Sequence, residues 1–251
     1  MISLVCSYVD LYLRRIPHLE HPIYNIRKSI LYRADCIFFH LILLMQVQKN
    51  ISEKISSDFL TIDINHHALV YGEKQQLYIF DDIVFHIISL FDYVGNFIGL
   101  LYCGQNKMNL KWNGINDSAL DKENKFSKSL IASLIKKYHK EWVDPLLEYR
   151  SHIIHSKSDS ANGIFTITGT KEYIEKKFTV SVPKKFKSNV KNKIENLITL
   201  EKDGKLTLID VALSLVNGSI QIVNEIISQT RQEKEDEWNR NKGEKPGAGL
   251  D

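Results

Sequence analysis

The sequence predicts a mainly α fold: a helical bundle of about five long helices with a small β-hairpin inserted before the last one. Three observations predict it. The 251 residues include only 5 prolines and 12 glycines, which suits long regular elements better than a loop-rich all-β fold. Apolar residues recur at helical spacing through most of the chain. Two stretches rich in β-branched residues, within residues 162–182, read as a two-stranded hairpin. A hydrophobic fraction of 43% can supply one continuous core. The expected organisation is therefore a single domain over residues 1–238, followed by a disordered tail over 239–251.

Residues 1–22 are apolar and tyrosine-bearing, and Pro17 and Pro22 interrupt any long helix there. The first helix is expected over Tyr24 to Gln48, with Ile30, Cys36, Phe38, Leu41, Leu44 and Met45 at roughly helical spacing. Lys49 to Asp58 reads as a polar connection. Phe59 to Ile64 alternates, as a short strand or an extended loop would. His66-His67 falls in an expected loop.

The second helix, Glu73 to Tyr102, is apolar on most faces: Leu77, Phe80, Val84, Ile87, Ile88, Phe91, Val94, Ile98 and Leu101. A helix of that kind belongs in the centre of a protein. Gly95 and Gly99, four apart on one face, each weaken the helix by about 1 kcal/mol. Their presence predicts close approach of another backbone, from this chain or from a dimer partner. Gly104 to Ser118 reads as a surface loop.

A third helix is expected over Asn124 to Tyr138, with Phe126, Leu130, Ile131, Leu134 and Ile135 on one side. Asp144-Pro145 reads as an N-cap followed by proline at the first helical position, starting a fourth helix over Pro145 to Lys157. Asn162 to Gly169 and Phe178 to Val182 read as the two-stranded insertion, closed by Pro183. The last helix, Thr207 to Trp238, carries Leu208, Val211, Leu215, Ile222, Val223 and Ile226 as its stripe.

Composition narrows the function classes. Three widely separated cysteines, with no C-x-x-C pair, speak against a disulfide framework or a cysteine zinc site and for a reducing cytoplasm. Met1 to Leu13 lacks a basic leader and carries Asp10, so it does not read as a secretory signal. The most apolar run, Cys36 to Met45, is about half the length a bilayer needs, and no membrane association is expected. Net charge is only +3, yet Lys136, Lys137 and Lys140 begin a run of lysines that could either meet RNA phosphates or simply face solvent. No Walker loop, dinucleotide fingerprint, Gly-x-Ser-x-Gly or His-Glu-x-x-His occurs.

The fourth helix holds Glu148-Tyr149-Arg150-Ser151-His152-Ile153-Ile154-His155. An arginine and a histidine five apart, on a short helix that follows two hydrophobic ones, resemble the signature of the HEPN superfamily (higher eukaryotes and prokaryotes nucleotide-binding). The likeness is to a bacterial subgroup with a hairpin inserted before the last helix. It covers residues 24–238 in element order. The resemblance implies a metal-independent endoribonuclease serving phage defence or a toxin–antitoxin system, with Arg150 and His155 as catalytic residues and no cofactor. It also implies a homodimer in which two motifs face one groove, and leaves room for an antitoxin or defence partner. Catalytic members usually carry Asn, Asp or His after the arginine, where this chain has Ser151. A non-catalytic HEPN-like scaffold that binds nucleotide, RNA or a protein is the alternative.

The residue types suit the chemistry. Attack of a ribose 2′-hydroxyl on the adjacent phosphorus needs a proton-transfer group of near-neutral pKa, which histidine supplies. It also needs a permanent cation that grips the developing phosphorane oxygens, which arginine does in a bidentate manner. On an ideal helix two residues five apart diverge by about 140°, so each side chain needs either a bend toward the other or a partner from a second copy. Ser151 and His152 are supporting candidates. Asp92 and Asn96, polar residues inside the apolar second helix, either orient the motif or belong to a packing network. His152 and His155, three apart, lack a recognisable third ligand, and no metal is expected.

Overall fold

The computed structural model describes residues 21–58, 66–104, 110–155, 163–169, 174–191, 193–202 and 206–243. The readings for residues 1–20, Phe59 to Ile64, Lys157 and residues 244–251 lie outside that set. The protein is mainly helical, in the manner of an all-α helical bundle, and its single sheet among the described residues is two-stranded. Packing divides the chain into two compact units. One comprises Met1–Leu31, Phe91–His139 and Ile220–Asp251, the other Tyr32–Leu90 and Lys140–Ser219. Three long helices supply residues to both.

The first of these, α1, runs over Pro22–Asp58. Pro22 opens it because a first-turn amide has no intrahelical acceptor to lose, and the next amide, of Ile23, donates to Nδ1 of His21 at 3.3 Å. Its buried stripe is Ile23, Ile26, Ile30, Ala34, Ile37, Leu41, Leu44 and Val47, a steady three-and-four spacing. Of the residues picked from the sequence, Ile30, Leu41 and Leu44 are on that stripe, whereas Met45 is exposed. Lys49 to Asp58, expected as a connection, continues the helix. It contains no breaker, and Lys49 and Glu53 form an i,i+4 pair at 3.7 Å.

α2 spans His66–Cys103, so the His66-His67 pair opens a helix rather than sitting in a loop. Eight of its nine predicted core positions are buried, from Leu77 to Ile98. Gly95 lies where the sequence asked for a close backbone: a Cβ there would stand 2.9 Å from the amide nitrogen of Trp112, in the same chain.

That contact explains a correction. Within the expected loop Gly104 to Ser118 the chain forms α3, Trp112–Leu120. Asp92 accepts the first helical N–H, that of Trp112, at 3.2 Å, and the indole packs against Phe91. Local sequence rich in Asn and Gly is thus overridden by a tertiary cap and a buried aromatic.

The expected third helix divides into a 3₁₀ turn, Lys125–Lys128, and α4, Leu130–Tyr138. Each has its own side-chain cap: Asn124 for the turn, Ser129 for α4. Glu233 also accepts the Leu130 N–H at 2.7 Å while its other oxygen takes the Tyr102 hydroxyl at 2.6 Å.

Asp144 does not start a separate helix. The chain continues from α4 through a π turn, His139–Val143, into α5, Asp144–His155. Pro145 lacks the N–H that an unbroken α-helix would need there, and a wide turn just before it absorbs the missing bond. The π turn seats Trp142 against Gly218, where a Cβ would come within 2.0 Å of the indole.

The expected hairpin is present as β1, Gly163–Gly169, antiparallel to β2, Ile174–Val180, in register from Gly163↔Val180 to Gly169↔Ile174. The Gly163 N–H donates to Glu73 of α2 at 2.9 Å. Three short elements follow: α6, Lys184–Phe186, a π turn, Lys187–Lys191, and α7, Glu195–Lys202. The last helix, α8, runs over Leu208–Gly243, and all six predicted stripe residues are buried. It continues through residues 239–243, assigned from the sequence to the tail.

Three helical stretches, Pro22–Lys54, Val70–Cys103 and Leu208–Arg240, are long and apolar enough to cross a membrane by length and composition. In the second and third, 67% and 61% of the most apolar window is buried inside the protein, against 33% in the first. On α1, Tyr32, Phe39, Ile42 and Met45 are exposed.

Candidate functional site

α5 is positioned by the residue just before the motif. Tyr149 is fully buried, its ring set edge-on to Phe186 at 4.9 Å and to Phe80 at 6.5 Å. Its hydroxyl donates to Asp81 of α2 at 2.9 Å. Anchored there, the helix places Arg150 beside α2. The Arg150 guanidinium carbon lies 4.6 Å from the ring centroid of Phe85, within cation–π range. Arg150 is half-buried, and its Nε is enclosed with no hydrogen-bond partner. Among the described residues no carboxylate is paired with it. A cation held by an aromatic face but uncommitted to an anion is available to one from outside.

His155 lies exposed in the last turn of α5, and Ser151 is exposed as well. His152 is half-buried. Glu148, on the same helix, pairs with Lys193 at 2.9 Å. Arg150 and His155 thus share one element but differ in surroundings: one stacked and partly enclosed, the other open to solvent.

Asp92 caps α3, and Asn96, one turn further on, has a buried Oδ1 without a partner. Asp92 thus has a packing role in holding the start of α3. Of the lysines, Lys136 and Lys137 end α4, where Lys137 Nζ lies 4.9 Å from the Tyr138 ring, and Lys140 is exposed on the π turn.

A second group of polar residues gathers close to Arg150, and sequence reasoning missed it. Phe85 is followed by His86, whose ring lies 5.8 Å from that of Phe85 and 5.0 Å from that of His40 on α1. Arg33 Nη1 lies 3.0 Å from His86 Nδ1. A guanidinium can only donate, so this nitrogen accepts and a neutral His86 carries its proton on Nε2. His40 is the other tautomer: Nδ1 lies 2.7 Å from the Cys36 carbonyl, which can only accept. His40 Nε2 then faces Asp82 at 3.8 Å. Burial pushes the His86 pKa below its ordinary value, helped by His40 and Arg33 and opposed by Asp82.

No short motif reports this cluster. Arg33, His40 and His86 are separated by up to 53 residues and meet because α1 and α2 lie side by side. The signal available was helical phase: Arg33 and His40 are seven apart on the edge of the α1 buried stripe, both half-buried, while Phe85 lies on the face of α2 opposite its stripe.

Among the described residues no three or more His, Cys, Asp or Glu side chains stand close enough to hold a metal ion. Compared with known proteins, the chain matches no family model, no curated protein and no solved structure.

Proposed function

We propose that the chain is a HEPN-like helical protein that cleaves RNA without a metal ion, acting as a cytoplasmic homodimer with Arg150 and His155 at each active site. The observation that carries this reading is Arg150 itself, held over Phe85 without a carboxylate partner on the same short helix as a solvent-exposed histidine. In the reaction the ribose 2′-oxygen bonds to the adjacent phosphorus and the bond from phosphorus to the 5′-oxygen breaks. His155 accepts the 2′-hydroxyl proton, and a second His155, from the other copy facing the same groove, protonates the departing 5′-oxygen. The products are a 2′,3′-cyclic phosphate and a 5′-hydroxyl. Arg150 neutralises charge on the non-bridging oxygens as the phosphorane forms. Phage defence or a toxin system is the setting that suits such an activity.

The test is cleavage of a labelled single-stranded RNA in the presence of a chelator. His155→Ala should lower the rate by roughly 10²–10⁴-fold, and Arg150→Ala by a comparable factor. Arg150→Lys should restore little, because an ammonium lacks the planar fork. Equal cutting by wild type and His155→Ala would end the reading. The second reading, a non-catalytic scaffold, is favoured by Ser151 after the arginine and by the partial enclosure of Arg150. It gains if no RNA is cut.

A further inference from the structure

The α1–α2 face beside Arg150 combines features that the cleavage chemistry alone does not use. Four rings follow one another across the two helices: Phe39 to His40 at 5.3 Å, His40 to His86 at 5.0 Å, and His86 to Phe85 at 5.8 Å. The two phenylalanines at the ends are exposed, Phe39 by 63% and Phe85 by 39%, although burying a phenylalanine is worth about 1.5–3 kcal/mol. Between them sit groups that suit a phosphate. Arg33 is permanently charged, half-buried, and oriented by its bond to His86. His40 is oriented by its bond to the Cys36 carbonyl. Arg150 stands at the Phe85 end. Asp82, 61% exposed, faces His40 Nε2 at 3.8 Å.

We propose that this face is a binding subsite for single-stranded RNA, with bases stacked on Phe39 and Phe85 and the intervening phosphate held by Arg33. The choice of RNA rests on the ribonuclease reading above; the subsite itself rests on the ring row and its cations. Alternating aromatic faces and fixed cations are how proteins hold single strands, because an unpaired base offers its face and a phosphate follows each one. Duplex RNA hides those faces. A second copy of the chain would cover the phenylalanines yet leave Arg33 and Arg150 facing its surface, so the cations favour a polyanion.

The test uses the full chain carrying His155→Ala, so that binding is read without cleavage. Fluorescence anisotropy is measured with a labelled ten-nucleotide single-stranded RNA and with the same sequence as a duplex. Phe39→Ala should weaken single-strand binding about 5- to 100-fold, and Arg33→Gln about 10-fold. Asp82→Asn should tighten it, a sign that a merely structural role would not produce. Lys122→Gln, an exposed charge in the other unit, should change it little. If a variant melts early, Phe39→Leu and Arg33→Lys replace it, with smaller losses of the same direction. Wild-type affinity in both Phe39 and Arg33 variants, or equally tight duplex binding, would overturn the subsite. So would dissociation of a dimer, or loss of binding to neutral lipid vesicles, in Phe39→Ala with RNA affinity intact. Binding that follows the expected pattern in a protein that cuts nothing would uphold the subsite and end the ribonuclease reading instead.

Discussion

Nη1 of Arg33 and Nδ1 of His86 meet at 3.0 Å, and because the guanidinium must donate, the contact requires an unprotonated nitrogen on His86. Protonating Nδ1 would replace an acceptor by a second cation beside the first. Burial acts in the same direction, as do the neighbouring His40 and Arg33, with Asp82 opposing.

The consequence for stability has a definite sign. In the unfolded chain His86 titrates near its ordinary value of 6.5, whereas in the folded chain it titrates lower. As pH falls through 6.5 the unfolded chain takes up the proton first, so the contribution of neutral His86 is present above that value and lost below it. The melting temperature should therefore drop more steeply between about pH 7.5 and 5.5 in wild type than in His86→Gln. Identical slopes in the two proteins would contradict this.

Tyr149→Phe tests the anchor of the motif helix. The ring contacts with Phe80 and Phe186 remain, but the hydroxyl that donates to Asp81 is gone. A hydrogen bond to a charged group is worth about 1.5–3 kcal/mol, and denaturant titration should show a loss of that order. A change below about 0.5 kcal/mol would mean the bond contributes little.

At Gly218 two effects oppose one another. Alanine in a helix interior is favoured over glycine by about 1 kcal/mol. Here, however, the added Cβ would meet Trp142 at 2.0 Å, and overpacking costs about 1–3 kcal/mol. The expected outcome of Gly218→Ala is net destabilisation. Combining it with Trp142→Phe should cost less than the sum of the two single changes, a coupling that a double-mutant cycle reads.

Asp92→Ala should uncap α3 and lower stability by about 0.5–2 kcal/mol. Asp92→Asn should keep much of the cap, since an amide oxygen can accept the Trp112 N–H. RNA cleavage, if present, should survive both changes. A selective loss of cleavage with stability intact would show that Asp92 acts on the motif after all.

The motif residues themselves should be dispensable for folding. His155 is exposed, and its replacement by alanine should shift stability by less than about 0.5 kcal/mol. Arg150→Ala forfeits stacking on Phe85, about 0.5–1 kcal/mol at a partly exposed site. Unfolding of both variants in circular dichroism would assign Arg150 and His155 to structure rather than to chemistry.

Sequence by itself determined the mainly helical class, the core faces of α2 and α8, the hairpin, and the close approach at Gly95. Each follows from a local pattern: a helical period, a run of β-branched residues, or a glycine where alanine would otherwise be preferred. It also singled out Arg150 and His155, which lie within one helix. The tertiary structure alone decided that Trp112 starts a helix, because the cap is Asp92, 20 residues away. It decided that Asp144 continues one, because a π turn ahead of Pro145 takes up the missing hydrogen bond. And it brought Arg33 and His40 to His86, since residues on neighbouring helices share no spacing rule until the helices pack.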